Sequence, residues 1–208
     1  MLCITAVLSA CHKDKDIVSN PPPAVKQDPT LKRDSTYPNK TIIVPKVDTV
    51  IGSFILDTKD AQGMTAIGSN ISFASTDAFR ASQDLQSVYF VIKDAGAEVF
   101  RSEKKLTVGD GVNSFTQSTF MSFTQAKIYS VEVHADVLSS ATDNTGPDDQ
   151  CAVTFNLVYQ ANGNSTNKTL SATGQTLTFR LTATSTVQIS QVTGPQGQAF
   201  LGNQEFEM

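Results

Sequence analysis

The chain predicts an all-β domain built as a two-layer β-sandwich, and two observations carry that reading. From Asp48 onward, short runs rich in Thr, Ser, Val, Ile and Phe alternate with period two, and Asp, Asn and Gly turns separate them. Nowhere does an apolar repeat at spacings of three and four persist over a helical length. With 208 residues, 39% of them hydrophobic, the chain holds enough material for one sizeable core plus tails.

The elements follow in order. Residues 49–56 open the domain as a strand, and 66–73 supply the next. Residues 85–92 and 97–100 flank Asp94-Ala95-Gly96, a short turn that makes them a hairpin. Asp110-Gly111 marks another turn, leading into a strand at 115–120. Residues 126–137 show the cleanest alternation, with Tyr129, Val131, Val133, Ala135 and Val137 as the inward set. Ile128 falls on the opposite parity, which suggests a bulge near Tyr129. Residues 151–159 form a further long strand ahead of the Asn162-Gly163 turn, and 176–182 and 186–190 close the sheets. Gly194-Pro195-Gln196-Gly197 then breaks the pattern, leaving 198–208 as a short tail or a last edge strand. In pattern and composition this domain resembles the immunoglobulin-like modules of bacterial surface proteins. It lacks the paired cysteines and the tryptophan of antibody domains, so the resemblance leaves the strand topology open.

The N-terminus has a different character. Met1 to Ala10 is apolar and uncharged, with Leu2, Ile4, Val7 and Leu8 before the small residues Ser9 and Ala10. It has the h-region and cleavage site of a secretion signal without the basic n-region, so it reads as a truncated signal peptide. It is far short of the ~20 apolar residues that span a bilayer. Leu8-Ser9-Ala10-Cys11 resembles the lipobox of bacterial lipoproteins. The resemblance implies cleavage before Cys11, a diacylglycerol on its thiol and acylation of its new amino group. Several acyl chains make a stable anchor where one is marginal. The charged segment His12-Lys13-Asp14-Lys15-Asp16 is similar to the tails after the cysteine in Bacteroidota surface lipoproteins, which implies the outer membrane without fixing the leaflet.

Residues 17–45 contain Pro21-Pro22-Pro23, Pro29, Pro38 and Pro45 among polar residues, too few of them apolar to order the chain. Such a segment predicts a disordered, extended tether at ~3.1 Å per residue. The organisation expected is therefore a signal peptide at 1–10, the lipidated cysteine and flexible linker at 11–47, the β-sandwich at 48–193 and a tail or edge strand at 194–208.

Charge divides along the same line. Basic residues outnumber acidic ones seven to four from His12 to Val47, and acidic outnumber basic sixteen to nine from Asp48 onward, within a total of −4. An acidic domain argues against nucleic-acid binding. Of the three cysteines, Cys3 leaves with the signal and Cys11 carries lipid, so Cys151 stands alone in an alternating strand and reads as buried and inert.

Candidate sites are few. Asp143, Asp148 and Asp149, with Asn144 and Gly146 between them and Asp136 nearby, gather oxygen donors suited to calcium, although the spacing is not that of an EF-hand and a solvated turn explains it as well. Glu132, His134 and Asp136 project from one face of a strand, a row suited to a metal or a polarised base but equally to a wet sheet face. No Gly-x-Ser-x-Gly, Walker loop or His-Glu-x-x-His occurs, which argues against an enzyme, and no cofactor is implied. There is no Trp to stack on sugars, and Tyr89, Tyr129 and Tyr159 have core-like neighbours. Asp34-Ser35-Thr36 and Asp48-Thr49-Val50 resemble the O-glycosylation tripeptide of Bacteroidota.

These features point to a non-enzymatic, lipid-anchored envelope protein whose sandwich binds a protein partner or serves a structural role. The alternative is a glycan-binding accessory lipoprotein. Exposed aromatics on one sheet face would favour glycan, a cleft with two carboxylates would favour a hydrolase, and an open edge strand would favour a protein partner.

Overall fold

In the computed structural model, residues 27–58, 63–76, 78–115, 121–123, 127–142, 149–161 and 164–181 are described. They form eleven strands: β1 (Thr30–Arg33), β2 (Lys40–Val44), β3 (Lys46–Asp57), β4 (Met64–Thr76), β5 (Leu85–Asp94), β6 (Ala97–Arg101), β7 (Asn113–Phe115), β8 (Met121–Phe123), β9 (Ile128–Val137), β10 (Gln150–Ala161) and β11 (Asn167–Leu181). One four-residue helix, α1 (Ala81–Asp84), precedes β5, and a single 3-10 turn follows β9.

β9 and β10 each bury one alternate set, so such strands can be stable only as layers facing each other. The first sheet has the order β1-β3-β9-β5-β6, and the second has β2-β11-β10-β4-β7, with β8 also on β4. In immunoglobulin terms, β1-β3-β9-β5 correspond to A-B-E-D and β4-β10-β11 to C-F-G. The domain is thus an immunoglobulin-like β-sandwich, extended by the β5–β6 hairpin. Its turn has positive φ at both central residues, 49° at Ala95 and 86° at Gly96, the mirror-image geometry that matches strand twist.

The first strand is divided between the layers. β1 pairs antiparallel with β3, and β2 crosses over to pair in parallel with β11. The sandwich therefore begins at Thr30 rather than Asp48, and 30–44 are removed from the expected linker. Proline content hid this, but Pro38 and Pro45 flank β2 without interrupting it, and Ile42 and Val44 enter the core. Residues 1–26, with the expected signal peptide, Cys11 and the triple proline, lie outside the described residues, as do 186–190 and the tail at 194–208.

One further expectation changes. β9 keeps an unbroken register against β3 from Ile128 to Ser130, so there is no bulge at Tyr129; Ile128 simply faces outward, 53% exposed. The irregularities lie instead in β3 and at the start of β5. The inward set of β9 is buried as its period required.

The core is centred on phenylalanines. Phe54, Phe90 and Phe155 are fully buried, with ring centroids 5.8 Å apart for Phe54–Phe155 and 5.1 Å for Phe90–Phe155. Phe115 meets Phe90 edge-on at 5.5 Å. The Phe54 ring lies over two glycines: a Cβ on Gly52 would stand 3.0 Å from it, and one on Gly174 would stand 3.3 Å away.

Candidate functional site

The alternation that buries Tyr129, Val131 and Val133 turns Glu132, His134 and Asp136 onto the outer face of the first sheet. From β5, Ser87, Tyr89 and Lys93 stand beside them, paired across to Asp136, His134 and Ser130. β3 contributes through a bulge. Its register slips between Lys46 and Thr49, and Asp48 sits there with φ 50°, a left-handed backbone that L-residues other than Asn and Asp seldom take. The Asp48 N–H donates to Asp136 Oδ1 at 2.8 Å, which holds the bulge and lays the Asp48 carboxylate over the sheet.

A continuous network results. Tyr89 O–H donates to Asp48, whose Oδ1 is also 3.1 Å from His134 Nδ1. His134 Nε2 is 3.1 Å from Glu132, and Glu132 accepts from Lys93 Nζ at 2.6 Å. Asp136 accepts from Ser87 Oγ at 2.8 Å and pairs with Lys104 at 2.6 Å. The Tyr89 ring is stacked on His134 at 5.0 Å and capped by the Arg101 guanidinium at 5.0 Å, with Arg101 forked onto Glu98.

These contacts set the electrostatics. The Tyr89 hydroxyl, with His134 and Arg101 behind it, holds the Asp48 carboxyl below its ordinary value. Burial alone would raise Asp136, but bonds from Lys104, the Asp48 N–H and Ser87 outweigh it and lower its pKa. Burial, then the Asp48 carboxylate, pushes the Tyr89 phenol up.

Chemically the cluster is closed upon itself. Asp48, Glu98, Glu132 and Asp136 are all partnered within the cluster, and the Ser87 hydroxyl donates to Asp136 rather than to His134. Among the described residues, no activated nucleophile faces the imidazole. The arrangement ties the bulge, the β5–β6 hairpin and the segment after it to the sheet. The Glu132–His134–Asp136 row was legible in the sequence; Asp48, Tyr89 and Arg101 were not. The only trace was the break in alternation at Val47-Asp48, just ahead of β3's regular run.

The calcium candidates are separate from this cluster. Asp149 is buried, its Oδ1 accepting from Ala78 N–H at 3.1 Å, its Oδ2 without a hydrogen-bond partner, and its carbonyl bonded to Phe179 N–H. Asp143 and Asp148 lie outside the described residues. Among the described residues, no three His, Cys, Asp or Glu side chains are arranged to hold a metal ion. Cys151 is buried and unpaired, and burial pushes its thiol up to about 12. Tyr89, Tyr129 and Tyr159 are all buried, as their neighbours suggested. Of the two glycosylation-like tripeptides, Asp34 folds back onto the Thr36 N–H and hydroxyl, and Thr49 is buried.

The outer face of the second sheet differs sharply in character. β4, β10 and β11 contain only two charged residues, Lys168 and Arg180, near opposite ends of β11. Between them the cross-strand rows include Ser72–Thr154–Thr173 and Asn70–Asn156–Ser171, with Thr154 and Thr173 hydroxyls 2.9 Å apart, flanked by the apolar Val158 and Ala152. Among the described residues, the centre of this face offers neutral hydroxyl and amide groups and no ring.

No protein-family model and no curated protein matches the chain. Among solved structures, it is similar to the CooA pilin subunit from enterotoxigenic Escherichia coli, at 12% identity over 74% of this chain and 99% of that one, with a TM-score of 0.31. It is similar also to the Proteus mirabilis ambient-temperature fimbriae adhesin AtfE, at 13% identity over 74% and 97%, TM-score 0.31. A family 123 glycoside hydrolase from Clostridium perfringens matches at 9% identity over 76% of this chain but 28% of its own, TM-score 0.33. Likenesses this distant say nothing of what the chain binds. Among the described residues, no helix is long and apolar enough to cross a membrane.

Proposed function

We propose that the chain is a non-enzymatic, lipid-anchored module of the bacterial outer membrane, whose sandwich presents the uncharged face of its second sheet to an envelope protein. The contrast between the two faces carries this reading. The first face spends its charged groups on one another, whereas the second is almost free of charge, and the centres of protein interfaces are depleted in charged residues. The lipobox-like Leu8-Ser9-Ala10-Cys11 supports the anchor, with Cys11 as the acylated residue. A second reading, glycan capture, draws on the same face, because neutral hydroxyl and amide groups suit an uncharged polysaccharide.

The two readings separate on a panel of envelope proteins and polysaccharides tested against the purified protein. A charge placed centrally, Thr154→Lys, should weaken binding by about tenfold or more, because a lysine there must be desolvated without a partner. Glu98→Gln, on the other sheet, should leave it unchanged. Binding that falls with Glu98→Gln and ignores Thr154→Lys would move the interface to the wrong layer and refute the assignment.

A further inference from the structure

Among the described residues, β1 ends the first sheet and β2 ends the second, and the crossover between them closes one side of the sandwich. Arg33 donates to Asn39 Oδ1 at 3.0 Å, and that oxygen also accepts from Thr176 N–H, which seams the crossover to β11. This side carries exposed cations: Lys32 and Arg33 on β1, Lys40 opening β2, and Lys46 at the start of β3. Their pairing sets them apart. Lys93, Arg101, Lys104, Lys127 and Lys168 each hold a carboxylate. Lys32, Arg33, Lys40 and Lys46 form no ion pair among the described residues. Lys40 rests on the Tyr37 hydroxyl and ring, and the Asp34 carboxylate is taken up by Thr36 and Ser53. Exposed apolar residues are interleaved with the cations: Ile43 on β2 is 49% exposed, and Val47, beside Lys46, is 72% exposed.

We propose that this side docks on the anionic headgroups of the membrane that anchors the chain, an inference that rests on the anchor reading above. Each Lys or Arg near an anionic bilayer is drawn to its surface, and aliphatic side chains among them enter the boundary between headgroup and acyl chain. A soluble polyanion would use the cations and leave Ile43 and Val47 in water. The chain also enters the sandwich on this side. Lys168 grips the Asp28 carboxylate at 2.8 and 2.9 Å, and residues 12–27 alone separate Asp28 from Cys11. From Asp48 onward, acidic residues outnumber basic ones sixteen to nine, so only the basic side suits an anionic surface. At physiological salt the field decays over ~8 Å, and the acidic remainder is screened once that side is down. Docking on an edge leaves the uncharged face of the second sheet open to a partner.

The test is vesicle flotation with the full-length chain carrying Cys11→Ser, so that no acyl chain holds it. The protein should bind vesicles containing phosphatidylglycerol in preference to vesicles of phosphatidylcholine alone, and added salt should release it. Lys32→Gln with Lys40→Gln should weaken that binding by about tenfold or more, at roughly fivefold per cation. Gln86→Glu with Ala97→Glu shifts the net charge equally, at exposed positions of β5 and β6, and should change binding little. Equal losses in the two double variants, or no preference for the anionic vesicles, would overturn the proposal. Capture of dextran sulfate without binding to vesicles would overturn it too, and would assign this side to a soluble polyanion. Because the chain tested carries no lipid, each of these failures leaves acylation of Cys11 to its own test.

Discussion

Phe54→Ala should cost the domain about 3–5 kcal/mol of unfolding free energy, at the high end for a single core truncation. Phe54 is fully buried and its ring lies between the sheets against Phe155. Beneath the ring the neighbours are Gly52 and Gly174. A cavity shrinks when surrounding side chains lean into it, and glycine has none to offer. The collapse that moderates many large-to-small substitutions is therefore restricted here. Urea or guanidinium denaturation measures the loss directly, and a fall in melting temperature of about 10 °C should accompany it. A loss below about 1 kcal/mol would mean that the sheets close over the gap, contrary to the packing described.

Asp136→Ala should cost on the order of 2–4 kcal/mol, since it removes one charged acceptor that three donors share in a largely buried setting. The Ser87 hydroxyl would lose its partner inside the protein, the Asp48 N–H would no longer be held at the bulge, and Lys104 would lose its ion pair. Asp136→Asn should cost less, because the amide oxygen can still accept from one donor. The same bonds give the domain a pH dependence of definite sign. Asp136 is held below the ordinary aspartate value of 3.8, and so are Asp48, chiefly by Tyr89, and Asp34, where bonds from Thr36 and Ser53 outweigh burial. A depressed folded-state pKa means that the unfolded chain binds protons first as pH falls. The stabilisation is therefore complete above the unfolded value and is lost as pH drops through 3.8 towards the lower folded values. Denaturation midpoints measured from pH 6 to pH 2 should fall, and Asp136→Asn should flatten that fall. An unchanged slope would show that Asp136 is not one of the groups responsible.

Much of the fold could be read where period two was strong. β9 and β10 announced themselves, because each has one face buried against the other sheet and one face wet; the β5–β6 hairpin did so through its Asp94-Ala95-Gly96 turn, although β5 is buried on both faces from Ser87 to Ile92. β1 and β2 did not, because Leu31 stands alone among charges, Ile42-Ile43-Val44 is a short run without alternation, both are flanked by prolines, and only the crossover between sheets gives them a use. β7 and β8 have three residues each, too short to display a period. The site divides along the same line. Glu132, His134 and Asp136 share a face by simple alternation, so their juxtaposition was visible. Asp48 reaches them only because a bulge and a left-handed backbone re-aim it, and neither has a one-residue signature. Asp149 shows the opposite failure: Asp and Gly neighbours suggested a wet turn, yet its carboxylate is buried against the Ala78 N–H.

The claim on which the functional account turns is the lipid anchor, and metabolic labelling tests it most directly. The chain, joined at its N-terminus to a lipoprotein signal peptide of the bacterial host that expresses it, would be grown with radiolabelled palmitate and separated into membrane and soluble fractions. The account predicts label on the protein in the membrane fraction, and an unlabelled protein that moves to the soluble fraction when Cys11→Ala is made. Absence of label on the unaltered chain, or label that survives Cys11→Ala, would contradict it.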